Sequence, residues 1–162
     1  MKTKERFNNC SSPLGKGEIY LRVTEQRVNM SSSGKKTFHV TKASLKHVIE
    51  NHTFNGKTGA DVSKNKSVFL PFFQHYQLRS LLVEGLNNVT TFENSGIWPD
   101  SESHLIHVGC GRKRCYKQYR VHFQDQVGFK RCMVMEGRLI STNDLLMVVD
   151  TFKWRLVTAF PV

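Results

Sequence analysis

Two histidines, His47 and His52, lie five residues apart in a segment whose apolar spacing predicts a helix. Histidine suits proton transfer at neutral pH because an unperturbed imidazole titrates near pH 6.5. Cleavage of RNA without a metal needs two such transfers: one group takes the proton of the ribose 2′-hydroxyl, and another protonates the departing 5′-oxygen. The pair therefore suggests acid–base chemistry on a phosphodiester.

A third candidate catalytic residue, Thr158, lies in a predicted C-terminal strand. Alternation along that strand puts its hydroxyl on the same face as the ring of Phe160, so that a phosphate-binding group would lie beside a ring able to stack on a base. The candidate substrate-binding residues carry a positive charge, a hydroxyl or a ring: Lys64, Lys66, Ser67, Arg112, Lys113 and Phe160. The catalytic candidates are His52, His47 and Thr158.

These histidines need a helix that directs them toward a common groove. Thr41 is a good N-cap residue, and the apolar residues that follow have helical spacing: Leu45, Val48 and Ile49. At about 100° per residue, His52 lies near this apolar stripe and His47 lies on the opposite, polar side. If the helix ends near Asn51, we expect His52 to turn toward the groove, and the helix C-terminus to favour its protonated form.

The remaining elements predict an α+β fold. A second helix is expected over residues 72–86, after Pro71, and five strands over residues 105–109, 116–123, 131–135, 145–150 and 155–160. This order predicts N-terminal helices packed on a C-terminal antiparallel β-sheet meander. We expect residues 1–40 to form an N-terminal arm or edge strand and residues 41–162 to form the catalytic domain.

The net charge of +11 indicates a polyanionic partner, and nucleic acid is the first candidate. No apolar run approaches the roughly 18 residues of a membrane span, so no span is expected. The residues after Met1 lack the apolar stretch of a signal peptide, and we expect any export to depend on a larger parent chain.

The four cysteines do not form a small-domain disulfide framework at this length, and we expect reduced thiols, although Cys110 and Cys115 could join across a hairpin. A zinc site would need these two together with His107 and His122, but the paired CxxC spacing is absent. The acidic residues show no compact spacing typical of a metal-dependent nuclease. We therefore expect no metal and no cofactor.

The order of these features resembles a known group of bacterial toxins. A helix with His47-x-x-x-x-His52 precedes a basic loop ending in Lys66-Ser-Val-Phe69, a second helix follows, and a meander closes on Leu156-Val-Thr-Ala-Phe-Pro161. From Thr41 to the C-terminus, this is similar to the toxin ribonucleases of contact-dependent growth inhibition systems. More broadly, it resembles the barnase, EndoU, colicin and RelE-like superfamily and the ribonuclease A-like bacterial toxins.

In those families a terminal Thr-Ala-Tyr/Phe-Pro strand places a threonine and a ring beside the helix histidines. The resemblance therefore assigns these roles to Thr158, Phe160 and His52. Phe160 stands where many relatives carry tyrosine, so any role of a hydroxyl at that position is absent here.

The resemblance implies a metal-independent endoribonuclease toxin that cleaves RNA, with tRNA as the expected substrate, and leaves a 2′,3′-cyclic phosphate. It also implies an acidic immunity protein as partner, and in some relatives a translation factor such as elongation factor Tu. Such a toxin is delivered as the C-terminal part of a larger secreted or cell-surface protein and acts in the target-cell cytoplasm. The alternative is a non-catalytic basic nucleic-acid-binding module, for which charge and aromatic side chains suffice.

Overall fold

The computed structural model describes residues 36–54, 66–132, 134 and 138–162. Residues 1–35 of the predicted arm or edge strand, and Lys64, lie outside these residues. The described elements, in chain order, are α1 (Lys42–His52), β1 (Val68–Phe69), α2 (His75–Ser95), β2 (His104–Cys110), β3 (Cys115–His122), β4 (Gly128–Arg131), β5 (Leu139–Thr142), β6 (Asp144–Asp150) and β7 (Arg155–Pro161). The mixed α+β class is confirmed.

Helix α1 begins at the predicted N-cap. The hydroxyl of Thr41 accepts the backbone N–H of Ser44 at 3.1 Å, and the Ser44 hydroxyl accepts the N–H of Thr41 at 2.9 Å. This reciprocal capping satisfies two helix-terminal donors. Val48 is fully buried, while Leu45 and Ile49 pack against the same core. The helix ends at His52 because Thr53 adopts an extended backbone conformation.

Helix α2 is longer than predicted and begins later. Pro71 lies in a turn, and the helix starts at His75. At its N-cap, the backbone N–H of Gln74 donates to the side-chain oxygen of Gln77 at 2.8 Å. Gly96 ends it with a φ of 75°, a left-handed conformation that favours glycine. The buried stripe of α2 consists of Leu78, Leu82, Gly85, Leu86 and Val89. The helix continues past its predicted end at residue 86, and Val89 in this extension is buried in the main core.

The central sheet is antiparallel, with strand order β2-β3-β6-β7. Alternation gives it two distinct faces. One face packs in the main core with α2 through residues such as Tyr119, Leu145 and Met147. The opposite face, here called the open face because α2 packs on the other one, has a small cluster of buried residues that includes Leu146, with Phe160 packed against it.

A second sheet departs from the predicted single meander. Strands β4 and β5 leave the central sheet and pair with β1 in the order β1-β4-β5. Strand β1 also precedes α2, so the described elements do not run strictly from helices to strands. Its two residues, Val68 and Phe69, are both buried and show no alternation that would reveal a strand in the sequence.

Gly128 allows β1 and β4 to approach closely, and its replacement by alanine is expected to be strongly destabilising. An added Cβ would collide with the carbonyl oxygen of Val68 and lie 2.7 Å from Cγ of Pro161. Because one of these atoms belongs to the backbone, the sheet itself must move. We expect a loss of about 2–4 kcal/mol in the free energy of unfolding, measured by urea denaturation.

Gly85→Ala provides the control for this substitution. Its new Cβ would meet chiefly the flexible side chain of Met147, with Sδ at 2.6 Å, and alanine favours the helix by up to about 1 kcal/mol. We therefore expect a smaller loss. Equal losses at Gly85 and Gly128 would contradict the proposed backbone clash.

The expectation of reduced thiols was wrong for Cys110 and Cys115, which form a disulfide. Antiparallel pairing of β2 with β3 places these residues directly opposite each other. Near the start of the described chain, Phe38 is 3% exposed and its ring lies 4.6 Å from that of Trp154, so this segment joins the main core. Neither described helix combines the length and the apolar run that a bilayer-spanning segment requires.

Candidate active site

Helix α1 packs along the edge strand β7, and its last residue reaches that strand's open face. The imidazole of His52 stacks on the ring of Phe160, with centroids 5.0 Å apart and an interplanar angle of 23°. One face of the Phe160 ring is therefore occupied by an imidazole. Thr158 lies two residues away on the same face of β7, opposite Val148, as alternation predicts.

The two helix histidines are closer than the helical wheel predicts. Their ring centroids lie 6.2 Å apart in an edge-on arrangement. The expectation that His47 points away from His52 was wrong, because side chains in a helix lean toward its N-terminus and the ring of His52 can approach the preceding turn. Groups at this separation can serve one phosphodiester.

A small polar network holds His47 in place. Asn51 lies one turn further along α1; its Nδ2 donates to the carbonyl oxygen of His47 at 2.9 Å and lies 3.2 Å from the ring Nδ1. Nζ of Lys66 donates to Oδ1 of the same Asn51 at 3.5 Å. Lys66 is thus brought to the histidine pair. Ser67 is also adjacent, but its carbonyl oxygen, rather than its hydroxyl, lies 3.4 Å from Nδ1 of His52.

Burial lowers the pKa of His52 to about 4, the positive charges of His47 and Lys66 act in the same direction, and the Ser67 carbonyl opposes them. The expectation that the helix C-terminus would favour protonation was wrong, since removal of the ring from water outweighs the helix dipole. His52 is neutral at physiological pH. With Nδ1–H directed at the Ser67 carbonyl, Nε2 presents a lone pair that can accept a proton.

The hydroxyl of Thr158 is buried and has no hydrogen-bond partner among the described residues. Such a group carries a desolvation cost of about 1–3 kcal/mol that valine would avoid. Buried polar groups without a partner are uncommon, and this one lies two residues from Phe160 along β7, so Thr158 remains a candidate site residue.

Two of the basic candidates are not close to this site. Arg112 and Lys113 are exposed in the link between β2 and β3. Phe160 lies at the level of Arg120, and Arg120 is five positions along β3 from Cys115 at the tip, or about 17 Å. These two basic residues can steer a polyanion, but they do not contact the histidine pair.

Three polar residues that the sequence did not assign to the catalytic or substrate-binding set meet elsewhere on the open face. The carboxylate of Asp144 accepts hydrogen bonds from Arg120 Nε at 2.8 Å and His122 Nδ1 at 2.6 Å. The usable signal was the period-two spacing of Arg120 and His122, which predicts a common face. Their pairing with Asp144 depends on the register of β3 with β6.

The hydrogen bond to Asp144 raises the pKa of His122, and the charges of Asp144, Glu102 and Asp100 act in the same direction. The pKa of Lys130, on β4, is lowered by burial and by the nearby positive charge of Arg120. The described residues therefore include one histidine that favours its neutral form, His52, and another that favours its cationic form, His122.

A cavity of about 660 Å³ lies between α2 and the segments that flank β3, and His122 lines it. Its wall includes the carboxylates of Glu84, Asp100 and Asp125. Because three carboxylates line the cavity, charge disfavours its interior as an anion site relative to the cluster around His52 and Lys66.

Within the described ranges, no three His, Cys, Asp or Glu side chains cluster in a way that could hold a metal ion. The zinc set considered from the sequence is not assembled, since Cys110 and Cys115 are joined to each other. Comparison with family models, curated proteins and solved structures finds no match to this chain.

Proposed function

We propose that this chain is an endoribonuclease that needs no metal and uses His52 as general base. The observation that carries the proposal is the meeting of His52, His47 and Lys66 beside β7, where the hydroxyl of Thr158 lacks a partner. The strongly basic composition of the chain agrees with a polyanionic substrate.

In this mechanism, Nε2 of neutral His52 takes the proton from the ribose 2′-hydroxyl. The 2′-oxygen attacks phosphorus, the bond to the 5′-oxygen breaks, and His47, as general acid, delivers a proton to the departing oxygen. The products are a 2′,3′-cyclic phosphate and a free 5′-hydroxyl. The 6.2 Å between the two rings suits a base and an acid on opposite sides of one phosphate.

The developing negative charge on the phosphate requires donors. Lys66 supplies a positive charge, and Thr158 supplies a hydroxyl that gains a hydrogen bond only when an anion is bound. Phe160 supports the imidazole of His52 through the stack. In this proposal the two histidines transfer protons, and Lys66 and Thr158 stabilise the phosphate.

The biological setting proposed with this activity is that of a toxin domain delivered by a larger secreted or cell-surface protein. The proposed substrate is tRNA in the target-cell cytoplasm, with an acidic immunity protein as inhibitor and elongation factor Tu as a candidate assisting factor. A domain of net charge +11 would bind an acidic inhibitor rapidly and in a salt-dependent manner.

The deciding experiment incubates the purified chain with total bacterial RNA in the presence of a chelator. Discrete fragments with cyclic phosphate ends are expected, as read by gel and by end-group chemistry. RNA that is bound but stays intact, with or without added divalent metal, would instead favour the nucleic-acid-binding module.

Thr158→Val tests the unpartnered hydroxyl. We expect kcat/KM for RNA cleavage to fall by about 10²-fold, because one donor to the phosphate is lost. The free energy of unfolding should stay unchanged or rise by about 1 kcal/mol, since the buried hydroxyl is removed.

Thr151→Val is the matched control, because the hydroxyl of Thr151 donates to the carbonyl of Cys115 at 3.1 Å. It should lose about 1 kcal/mol of stability and keep its cleavage rate. If Thr158→Val loses stability and retains cleavage, the proposed role of Thr158 is wrong.

A further inference from the structure

We propose that His122 and Arg120 form a second phosphate-binding subsite on the open face, and that the carboxylate of Glu102 occupies it until a nucleic-acid backbone displaces it. This inference rests on the proposed function for the identity of the ligand. It goes beyond that function because it assigns a site away from the reacting phosphate and an internal competitor for it.

The imidazole of His122 lies between two carboxylates. Its Nδ1 is 2.6 Å from Oδ1 of Asp144, and its Nε2 is 2.8 Å from Oε2 of Glu102. The backbone N–H of His122 donates to the hydroxyl of Ser103 at 2.9 Å. The ring is therefore held by the fold, and Nε2 is directed at a position that already accommodates an anionic oxygen.

The two carboxylates differ in how firmly they are held. The side chain of Asp144 is 19% exposed and also binds Arg120, whereas that of Glu102 is 66% exposed and lies in the turn before β2. An exposed ion pair contributes little stability because water and salt screen it. Asp144 thus orients the ring, while Glu102 can leave at low cost to a phosphate oxygen.

Arg120 adds a planar donor group to the same position. Its Nε is engaged by Asp144, and the remaining N–H groups of a guanidinium match the geometry of a phosphate. Leu146 pairs with Phe160 on one side and with Arg120 on the other. Two strand spacings, or about 10 Å, therefore separate Arg120 from Phe160, on which His52 stacks. The buried side chain of Leu146 forms an apolar floor between them.

The charges that face His122 come from several elements. Asp144 lies on β6, Glu102 and Asp100 precede β2, and Glu84 and Asp125 line the same cavity as His122. Arg120 and Lys130, on β3 and β4, lie near the same Asp144. The pKa of His122 is raised, so the ring is cationic over a wider pH range than an ordinary histidine. A cationic ring attracts both the carboxylate and the phosphate, which is the basis of their competition.

The test measures binding of a labelled single-stranded deoxyribonucleotide by fluorescence anisotropy. This probe lacks the 2′-hydroxyl that the proposed reaction needs, so it reports binding without cleavage. We expect Glu102→Gln to bind it about three- to fivefold more tightly than the parent chain, because the competing carboxylate is gone.

Glu84→Gln is the matched control. It removes the same charge from an exposed position on α2 that lines the same cavity as His122, and Glu84 is not among the carboxylates that raise the pKa of His122. Its effect on affinity should be clearly smaller than that of Glu102→Gln. If both substitutions change the affinity equally, Glu102 acts only through the net charge of the chain. If Glu102→Gln binds the probe more weakly than the parent chain, the ion pair of Glu102 is purely structural. Either result overturns the proposal.

Two further measurements show whether the competition depends on His122. In a His122→Gln background, the excess effect of Glu102→Gln over Glu84→Gln should disappear. If the His122→Gln variant does not fold, the difference in affinity between Glu102→Gln and Glu84→Gln can be measured against pH in the chain that keeps His122. It should vanish as the pH rises and His122 loses its proton, whereas an excess that persists at high pH contradicts the subsite.

The second subsite and the ribonuclease activity can be tested independently of each other. A chain that cleaves RNA in chelator, but in which Glu102→Gln and Glu84→Gln bind the deoxyribonucleotide alike, lacks the second subsite and remains a ribonuclease. A chain that shows the predicted difference in binding and never cleaves RNA has the subsite without the activity.

Discussion

Replacing His52 with alanine is expected to lower kcat/KM for RNA cleavage by about 10²–10⁴-fold, because the group that accepts the 2′-hydroxyl proton is lost. Binding of RNA should change little, since the ring is neutral and the basic side chains remain. Cleavage is measured with a fluorogenic oligoribonucleotide, and binding with its 2′-deoxy counterpart. His75→Ala, at an exposed position at the start of α2, is the control and should retain full activity.

The pH profile gives this prediction a second readout. A general base must be deprotonated, so the acidic limb of kcat/KM should fall near the pKa of about 4 for His52 rather than near 6.5. Replacing Phe160 with alanine opens the stack, admits water to the imidazole and should move that limb to higher pH. Full cleavage by His52→Ala would exclude this residue as the base.

The same pKa has a consequence for folding. His52 binds its proton near pH 6.5 when unfolded and near pH 4 when folded, so the unfolded chain holds more protons between these values. The free energy of unfolding should therefore fall as the pH drops from 6.5 to 4, by on the order of 3 kcal/mol from this residue. His52→Gln should lack that contribution, and urea titrations of both chains at pH 7 and pH 4.5 isolate it.

Replacing Glu93 with alanine is expected to cost about 3–5 kcal/mol in the free energy of unfolding, the largest effect on stability that we predict. Glu93, on α2, accepts from Nζ of Lys117 at 2.6 Å and also from the hydroxyl of Tyr119. Lys117 is 1% exposed, and Tyr119 is fully buried. The substitution takes this carboxylate away from a buried ammonium group in the main core.

The measurement is the urea midpoint at constant slope, with Glu84→Ala as the control on the exposed side of the same helix. Glu84→Ala should change stability by less than about 0.5 kcal/mol. A similar midpoint for both variants would show that the Lys117–Glu93 pair contributes no more than a surface ion pair. Cleavage measured well below the unfolding transition should be preserved in both.

Local patterns in the sequence were sufficient for several parts of the site. Thr41 marks the start of α1 because an N-cap depends on one side chain and the next three residues. Alternation along β7 places Thr158 and Phe160 on one face because a strand repeats every two residues. The mixed α+β class follows from the same periodicities.

Other features depend on partners distant in the chain. Strand β1 is too short to show a period and exists because Val68 and Phe69 pair with β4, far along the chain. Asp144 meets Arg120 and His122 only through the register of β3 with β6. Local sequence patterns do not predict that register.

The sequence by itself determined which residues have side chains suited to proton transfer, the strand face that Thr158 and Phe160 share, and the strongly positive net charge. Tertiary structure alone decided the protonation of His52, because the pKa depends on how far the ring is removed from water by Phe160 and its other neighbours. It also decided that His47 lies near His52 and that His122 favours its cationic form. Periodicity is a property of consecutive residues, whereas desolvation and ion pairing are properties of the groups that packing brings together.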